Sequence, residues 1–317
     1  MNKSARIFIA GHTGLIGSAL MRRLTADGFS NLITASHDSL ELTNFSAVDD
    51  FFQKNLPDYV VLAAGKVGGI VENQTYPAKF IIQNLAIQHS VMCAADKFRV
   101  RKLIFFASSC VYPRICSQPM TEDSLLTGVP EGTSMAYAVS KLAGLQSCLA
   151  FNQERGQKCF IPLIPNSAYG PNDNFDPTSG HVLSALIRRF HEAKIQSLPE
   201  VTLWGSGNPR REFVHADDIA SACLLLLTES VGSLEFPLNL GSGYDLAIKE
   251  LAELTSAVVG YNGRVNWDSS KPDGAPRKLL DSTRMFDFGW SPKVSLQDGL
   301  KDTYRWFKEN IGQKGRS

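Results

Sequence analysis

An apolar segment, Ile7–Ala10, runs directly into three regularly spaced glycines, Gly11, Gly14 and Gly17, and a helical pattern follows. Glycines at the first turn between a strand and a helix let a pyrophosphate approach the backbone amides at the helix N-terminus. A glycine pattern alone is weak evidence, but its position between a strand and an amphipathic helix at the start of a βαβ series strengthens it. The sequence therefore predicts a dinucleotide-binding turn here.

The first half of the chain alternates short apolar segments with longer helical patterns, which is typical of a parallel sheet built from βαβ units. Strands are predicted at 6–10, 31–35, 59–63, 103–107 and 159–164, and helices at 15–27, 46–54, 78–97 and 136–154. After about Tyr169 a loop rich in Asn, Asp, Pro and Gly leads into a less regular segment. Its helices are predicted at 182–193, 247–258 and 296–309, and the polar tail 312–317 is predicted to fray. The expected fold class is α/β, a doubly wound parallel sheet with a smaller second lobe.

Length and charge narrow the classes of protein that remain. A chain of 317 residues suits one large α/β unit with an appended lobe, or two domains. The net charge of +1 gives no overall field to attract nucleic acid or an anionic membrane, so we expect neither as a partner. No apolar segment is long enough to span a bilayer or to form a signal-peptide core. Six cysteines without Cys-x-x-Cys spacing indicate a reducing compartment, and we expect a cytoplasmic protein.

Tyr137 and Lys141 lie four residues apart in a predicted helix, hence on one face. The pattern is common, but here it combines with the glycine turn and with Ser108 at the end of the fourth predicted strand. A phenol with a reference pKa of about 10 is a poor acid or base at neutral pH, and a nearby ammonium favours its phenolate. The three features resemble the short-chain dehydrogenase/reductase superfamily, in which Tyr137 would deliver a proton, Ser108 would hydrogen-bond a carbonyl oxygen and Lys141 would hold the nicotinamide ribose.

Further stretches narrow the resemblance to the GDP-L-fucose synthases. They are "AAGKVGGI" (63–70), "SSCVYP" (108–113), "GPNDNF" (170–175), "GHVLSALIRRFHEA" (180–193), "WGSGNPRREF" (204–213) and "SKPDGAPRK" (270–278). The resemblance covers nearly the whole chain and implies a bifunctional 3,5-epimerase and 4-reductase that acts on GDP-4-dehydro-6-deoxy-D-mannose. It implies a Rossmann-like dinucleotide-binding domain over 1–168, to which 213–241 returns, and a smaller α/β nucleotide-sugar domain over 169–317. It also implies a homodimer packed through helices of the first domain.

The same resemblance assigns roles to individual residues. The implied catalytic residues are the reductase triad Ser108, Tyr137 and Lys141 and the epimerisation acid/base pair Cys110 and His181. The implied nucleotide-sugar contacts are Arg189, Trp204, Arg211 and Asp273. The implied cofactor contacts are Gly11, His12, Thr13, Gly14, Leu15, Ile16, Gly17, His37, Leu42, Ala64, Phe106, Ala107, Lys141, Pro165, Ala168 and His181.

The residue types suit these roles. Inverting a carbon next to a ketone requires removal of a proton on one face and return of one on the other, and thiol and imidazole, with reference pKa values of about 8.5 and 6.5, bracket neutrality. The plainer interpretations are a small buried hydrophobic residue for Cys110 and a surface or capping residue for His181. Which of the two is base and which is acid stays open.

For the nucleotide sugar, guanidinium groups suit a diphosphate. Adjacent Arg188 and Arg189 point in different directions on a helix, so at most one of them serves. Trp204 stacks on a base or sugar, or else anchors a core. His191 fits a partly buried structural histidine, and His12 lines the cofactor site without proton chemistry.

The cofactor is predicted to be NADPH. NAD sites usually carry an acidic residue at the end of the second strand for the ribose 2′-hydroxyl, whereas this chain has "TASH" (34–37) there. Some members of the resembled family carry arginines at this place and in the glycine turn, where this chain has His37 and Thr13. Asp38 and Glu41 leave an NAD site as the alternative.

Two other classes of function stay open. A nucleotide-sugar 4-epimerase or 4,6-dehydratase shares the glycine turn and the Tyr-x-x-x-Lys pattern, but it does not need Cys110 together with His181. A catalytically idle NADP-binding regulator is disfavoured because Ser108, Tyr137 and Lys141 are all present. No spacing of histidines, cysteines and carboxylates resembles a metal site, so none is expected.

Overall fold

A computed structural model of the chain describes residues 1–176, 179–271 and 273–311. Its strands are β1 (Ile7–Ala10), β2 (Leu32–Ile33), β3 (Tyr59–Leu62), β4 (Lys102–Phe106), β5 (Phe160–Pro165), β6 (Ser167–Tyr169), β7 (Glu200–Trp204), β8 (Arg210–His215), β9 (Leu238–Leu240), β10 (Asp245–Ala247), β11 (Arg264–Asp268) and β12 (Arg277–Lys278). Its helices are α1 (Leu15–Ala26), α2 (Phe45–Asn55), α3 (Ile70–Thr75), α4 (Pro77–Lys97), α5 (Met135–Arg155), α6 (Val182–Ile195), α7 (Ala216–Thr228), α8 (Ile248–Val259), α9 (Thr283–Asp287) and α10 (Leu296–Asn310).

The central element is a six-stranded parallel sheet in the order β2-β1-β3-β4-β5-β9. Side chains of a strand alternate between the two faces, and here both faces are buried. In β1, Ile7 and Ile9 join a core with α1 and α7, whereas Phe8 and Ala10 join a second core with α2, α4 and α5. The predicted doubly wound, Rossmann-like α/β fold is confirmed.

The strand order reverses between β1 and β3, because the chain passes from β1 to β2 on one side and then to β3 on the other. In open parallel sheets, ligands bind at the carboxyl ends of the strands beside such a reversal. The glycine turn after β1 therefore lies where a dinucleotide is expected.

A third core lies outside this sheet. The helices α6, α8 and α10 pack there against strands β7 and β8, around side chains such as Phe190, Leu251 and Phe307. Strand β8 joins the other strands of the second sheet, because it pairs with β6, β10 and β12. Strand β9, although late in the chain, pairs with β5 in the central sheet.

The predicted elements agree with the structure to within one or two residues at each end in the described residues, and the second strand loses the largest share of its predicted length. It was predicted over 31–35, and only Leu32–Ile33 is a strand, because Ser36 and Ser39 form a hydrogen-bonded turn directly afterwards. Helix α7 and the short strands after Ser167 were not predicted. Helix α7 is apolar on most of its circumference and so lacks helical periodicity. The predictions for 177–178 and 312–317 fall outside the described residues.

In the described parts of the chain, none of the helices combines the length and the apolar character that crossing a bilayer requires.

Candidate active site

The glycine turn is a tight backbone cradle at the start of α1. Gly11 has a φ of +83°. Its backbone lies so close to the segment after β3 that an added Cβ would be 2.8 Å from the backbone nitrogen of Ala64. A Cβ on Gly17 would lie 2.0 Å from the carbonyl oxygen of Gly11. Helix α1 begins after Gly14 without a side-chain cap, so its first amides are left for another acceptor. The arrangement suits a pyrophosphate.

The remaining residues of this turn surround the cradle. Thr13 is exposed, Leu15 and Ile16 are half-buried in the first turn of α1, and the Nδ1 atom of His12 is buried without a hydrogen-bond partner among the described residues. The predicted turn residues 11–17 thus form one continuous surface.

The other predicted cofactor contacts follow the carboxyl ends of neighbouring strands. His37 and Leu42 follow β2, Ala64 follows β3, and Ala107 follows β4. Phe106 and Pro165 are the last residues of β4 and β5, and Ala168 lies in β6. Strands β2, β3, β4 and β5 lie with β1 in one parallel sheet, so their carboxyl ends form one edge of it. Ala168 follows β5 by three residues and lies in β6, which pairs with β8 instead.

His37 stands on this edge with an acidic neighbour. Its Nε2 atom lies 2.9 Å from the Oε2 atom of Glu41, and the His37 side chain is 84% exposed. Hydrogen bonds from the backbone and hydroxyl of Thr43 lower the pKa of the Glu41 carboxyl. Glu41, one of the two alternatives for an NAD site, is therefore a charged partner of His37.

Ser108, Tyr137 and Lys141 come together at the end of β4. The Lys141 ammonium donates a hydrogen bond of 2.9 Å to the carbonyl oxygen of Phe106 and lies 5.8 Å from the centre of the Tyr137 ring. The Tyr137 hydroxyl interacts with the Ser108 side chain. Burial raises the pKa of Tyr137 and lowers the pKa of Lys141 to about 8.

Cys110 belongs to the same group. It lies in a 3₁₀ turn, Ser109–Val111, and its own amide donates to the Ser108 hydroxyl oxygen at 3.5 Å. Burial raises the pKa of the thiol, and the positive charges of Lys278 and Lys141 oppose that effect, as does a hydrogen bond with Ser108. The Ser108 hydroxyl thus lies between the Tyr137 phenol and the Cys110 thiol.

His181 stands apart from this group in its described contacts. It is the exposed N-cap residue of α6, and its side chain makes no capping hydrogen bond. Its positive form interacts with Asp173, which also accepts a hydrogen bond from Ser184. Ser179, two residues before His181, contacts the start of α3, since the amide of Gly69 donates to the carbonyl oxygen of Ser179 at 2.9 Å.

The predicted nucleotide-sugar residues form two pairs. Arg189 donates to the carbonyl oxygen of Thr202 at 2.8 Å, and Trp204, 63% exposed, lies two residues further along the same face of β7. Arg188 instead pairs with Glu192. Trp204 is thus a surface ring rather than a core anchor.

Arg211 and Asp273 are the second pair. Asp273 accepts from the Ser206 amide at 2.9 Å and from its hydroxyl at 2.6 Å, and so closes the turn after Trp204. The charge of Arg211 contributes to lowering the pKa of Asp273, behind the hydrogen bonds from Ser206. Arg211 itself donates to the carbonyl oxygen of Ala275 at 2.6 Å.

Sequence reasoning missed three residues beside Cys110. Asn166 accepts a hydrogen bond from the Ser109 hydroxyl at 3.0 Å and donates to the carboxylate of Glu212 at 2.5 Å. Lys278 lies on β12, and its charge acts on the Cys110 thiol. No local signal marked Glu212, because Arg210 and Arg211 precede it in β8 and a third charged residue there reads as exposed; only the fold buries its carboxylate completely and gives it partners.

Among the described residues, one group of side chains of metal-ligating types lies close together, although the sequence predicts no metal site. His215, Asp217 and Asp302 place one potential ligand atom each within 4.8 Å of one another. Asp217 pairs with Arg22 at 2.6 Å and Asp302 pairs with Arg305, so arginines already balance the two carboxylates.

A family model for the NAD dependent epimerase/dehydratase family matches residues 7–241. The chain belongs to this family. GDP-L-fucose synthase 1 of Arabidopsis thaliana is 51% identical over 310 residues, which are 98% of this chain and 95% of that protein. GDP-L-fucose synthase of Escherichia coli (strain K12) is 47% identical over 312 residues, 96% of this chain and 97% of that protein. These identities confirm the resemblance to the GDP-L-fucose synthases within the epimerase/dehydratase family.

A solved structure of a GDP-L-fucose synthetase from Naegleria fowleri bound to NADP has a similar fold. It is 25% identical to this member of the epimerase/dehydratase family, with a TM-score of 0.89 over 99% of this chain and 97% of that one.

Proposed function

We propose that this protein is a bifunctional 3,5-epimerase and 4-reductase that converts GDP-4-dehydro-6-deoxy-D-mannose to GDP-L-fucose. The observation that carries the proposal is the position of Ser108, whose hydroxyl interacts with both the Tyr137 phenol and the Cys110 thiol. A ketone oxygen held by Ser108 thus has a proton donor for reduction and a thiol for proton transfer at the adjacent carbons. The names of the relatives support this substrate.

The proposed cofactor is NADPH. The cradle around Gly11 and Gly17 accepts a pyrophosphate that side chains would exclude, and residues 34–37, which directly follow β2, include His37 and no acidic residue. When bound, the cofactor supplies the hydride for carbon 4. The Naegleria fowleri relative bound to NADP supports the choice over NAD.

For reduction, Tyr137 delivers the proton to the oxygen of carbon 4, and Ser108 orients that oxygen. The neighbouring ammonium of Lys141 stabilises the phenolate that remains. The same ammonium is proposed to hold the ribose of the cofactor. Because all three side chains act on the same ketone oxygen or on each other, they have to meet, and they do so at the end of β4.

For epimerisation, Cys110 and His181 are the proposed proton carriers at carbons 3 and 5. Cys110 is two residues from Ser108, so it lies next to any sugar whose ketone Ser108 holds. Ser179, two residues before His181, accepts a hydrogen bond from the amide of Gly69 at the start of α3. The exposure of His181 leaves the imidazole free to exchange its proton with water.

The proposed binding of the nucleotide sugar uses the second lobe. Arg189 and Arg211 offer cations for the diphosphate, and the exposed ring of Trp204 offers a stacking surface. Asp273, next to Arg211, offers an acceptor for a hydroxyl or an N–H group. In this proposal residues 1–168 and 213–241 hold the cofactor and 169–317 hold the sugar nucleotide.

The proposed assembly is a homodimer through α4 and α5. These two helices pack side by side on one face of the sheet. Their outer surfaces still expose Ile82 by 64% and Val139 by 41%. A second copy of the same helix pair would cover both side chains in a four-helix contact.

The deciding experiment incubates the protein with GDP-4-dehydro-6-deoxy-D-mannose and NADPH and follows the absorbance of the reduced cofactor and the sugar product. We expect NADPH oxidation and formation of GDP-L-fucose. A 4,6-dehydratase or 4-epimerase would consume no NADPH, and an idle binder would leave the sugar unchanged. If the product is reduced at carbon 4 but not inverted at carbons 3 and 5, the protein is a reductase and the proposed epimerase activity is wrong.

A further inference from the structure

A cysteine that removes a proton from carbon must react as a thiolate, and the surroundings of Cys110 work against that form. Burial raises the pKa of the thiol. Four groups face it: the hydroxyl of Ser108, the phenol of Tyr137 and the ammonium groups of Lys141 and Lys278. The Lys141 ammonium is already directed to the carbonyl oxygen of Phe106 and lies beside Tyr137. Lys278 is the remaining cation.

The fold holds Lys278 next to the loop of Cys110 through one amide side chain. The Oδ1 atom of Asn166 accepts from the Ser109 hydroxyl at 3.0 Å, and its Nδ2 atom donates to the carbonyl oxygen of Lys278 at 3.3 Å. Ser109 is the neighbour of Cys110 in the chain. Asn166 is 4% exposed, so this link between the two segments is buried.

A second contact fixes the strand of Lys278. The fully buried carboxylate of Glu212 accepts from the amide of Leu280 at 3.0 Å and from the Nδ2 atom of Asn166 at 2.5 Å. In addition, Lys278 is paired in register with Arg211 of β8. The backbone of Lys278 is therefore held from both sides relative to the Cys110 turn.

Within residues 1–176, 179–271 and 273–311, the ammonium of Lys278 makes no hydrogen bond or ion pair. Its electrostatic partners are Cys110 first, then Arg211, which repels it, and Glu131, which attracts it. Burial lowers the pKa of Lys278, and a thiolate at Cys110 counteracts this effect. Each of the two groups is thus more stable in its charged form when the other is charged.

We propose that Lys278 is a positioning residue for the epimerisation, which acts by holding Cys110 as a thiolate. The inference rests on the proposed function. In the step it serves, the C–H bond next to the ketone breaks, an S–H bond forms on Cys110, and the electron pair of the C–H bond passes into the enolate. The enolate then takes a proton on its opposite face from the imidazolium of His181, which completes the inversion. The proton on the thiol passes to solvent water, and the Lys278 ammonium stabilises the restored thiolate. No oxidant or reductant is involved.

The test measures the thiolate in the resting protein, without cofactor or sugar. The ultraviolet absorbance of the Cys110 thiolate is obtained as the difference between each protein and its Cys110→Ser counterpart, as a function of pH. We expect Lys278→Met to move the appearance of the thiolate to higher pH by about one unit or more, which means about a tenfold smaller thiolate fraction near neutrality. Lys278→Arg should restore it, because the guanidinium keeps the charge. Lys301→Met on the surface of α10 is the matched control and should change nothing.

A second readout separates this role from contact with the substrate. Exchange of the carbon 3 and carbon 5 hydrogens with deuterated water should fall about tenfold in Lys278→Met near neutral pH and recover at higher pH. If Lys278→Met instead raises KM for the sugar nucleotide and leaves the thiolate titration unchanged, Lys278 binds substrate and the proposal is wrong. Thermal unfolding is measured for each variant to establish that it is folded. If Lys278→Met does not fold, Lys278→Gln is tested in its place. If the proposed function itself is wrong, the wild-type protein will not exchange the sugar hydrogens, and this result is distinct from an effect of Lys278.

Discussion

The Lys141 ammonium donates a 2.9 Å hydrogen bond to the carbonyl oxygen of Phe106, the last residue of β4. This bond ties the helix that carries Tyr137 to the strand that leads into Ser108 and Cys110. A Cβ on Gly65 would come within 3.4 Å of the same nitrogen, so the loop after β3 also closes against it. One buried cation therefore joins helix α5 to the ends of two strands, β3 and β4, at the candidate site.

This burial predicts the alkaline limit of reduction. Burial lowers the pKa of Lys141 to about 8, so the ammonium is present below that pH and is lost as the pH rises through it. We expect kcat/KM for NADPH to fall over the same range, because the amine no longer stabilises the Tyr137 phenolate. Lys141→Arg keeps its charge and should abolish the fall even where its rate is lower. A profile that stays flat from pH 7 to 9 in the wild type would contradict this.

The local and the long-range parts of the site differ in how far they could be predicted. Tyr137 and Lys141 were predicted because one helical turn joins them, and the glycine turn because a strand and a helix flank it. Lys278 reaches Cys110 only through the pairing of β12 with β8, which no local periodicity encodes. Asn166 likewise acquires its role from partners 57 and 46 residues away in the sequence.

The preference for NADPH should depend on His37. Its side chain is the proposed partner of the 2′-phosphate, so His37→Ala should weaken NADPH binding several-fold, whereas His37→Arg, which keeps a cation, should bind NADPH at least as well as the wild type. The dissociation constant of NADH, which lacks that phosphate, is the control and should be the same in all three proteins. An unchanged NADPH affinity in His37→Ala would argue against His37, and equal turnover with NADH would argue against NADPH as the cofactor.

Glu41 sharpens that prediction, because its carboxylate already pairs with His37 at 2.9 Å. A phosphate must compete with this carboxylate for the imidazolium. Glu41→Gln removes the competing charge and keeps the size of the side chain. It should therefore tighten NADPH binding several-fold and leave NADH binding unchanged.

The homodimer prediction concerns the exposed apolar surface of α4 and α5. Ile82→Asp places a carboxylate in the proposed contact, where burial of an unpaired charge costs several kcal/mol. In sedimentation at micromolar concentration, the wild type should have about twice the mass of one chain and this variant the mass of one. Ile195→Asp, at the end of α6 and 54% exposed, is the matched control and should stay dimeric. A wild type that sediments as a fully active monomer would rule out the assembly.

Replacing Tyr137 with phenylalanine should separate the two half-reactions. The variant loses only the hydroxyl that donates the proton during reduction, while Cys110 and His181 remain. We expect very slow oxidation of NADPH but continued exchange of the carbon 3 and carbon 5 hydrogens with deuterated water, followed by NMR. Loss of both activities at once would mean that the phenol also serves the epimerisation.

Replacing Cys110 with serine tests the opposite half. The hydroxyl is nearly the size of the thiol but too weakly acidic to carry the proton, so exchange at carbons 3 and 5 should fall by about 10² to 10⁴, the usual contribution of a general acid or base. Binding of NADPH and the thermal midpoint should stay near wild type, because the 3₁₀ turn at Ser109–Val111 and its contact with Asn166 do not involve the sulfur. A serine variant that exchanges both hydrogens at the wild-type rate would leave Cys110 as a packing residue of its core, where it is only 8% exposed. The role of Lys278 would then fall with it, since a cation can assist proton transfer here only through a thiolate.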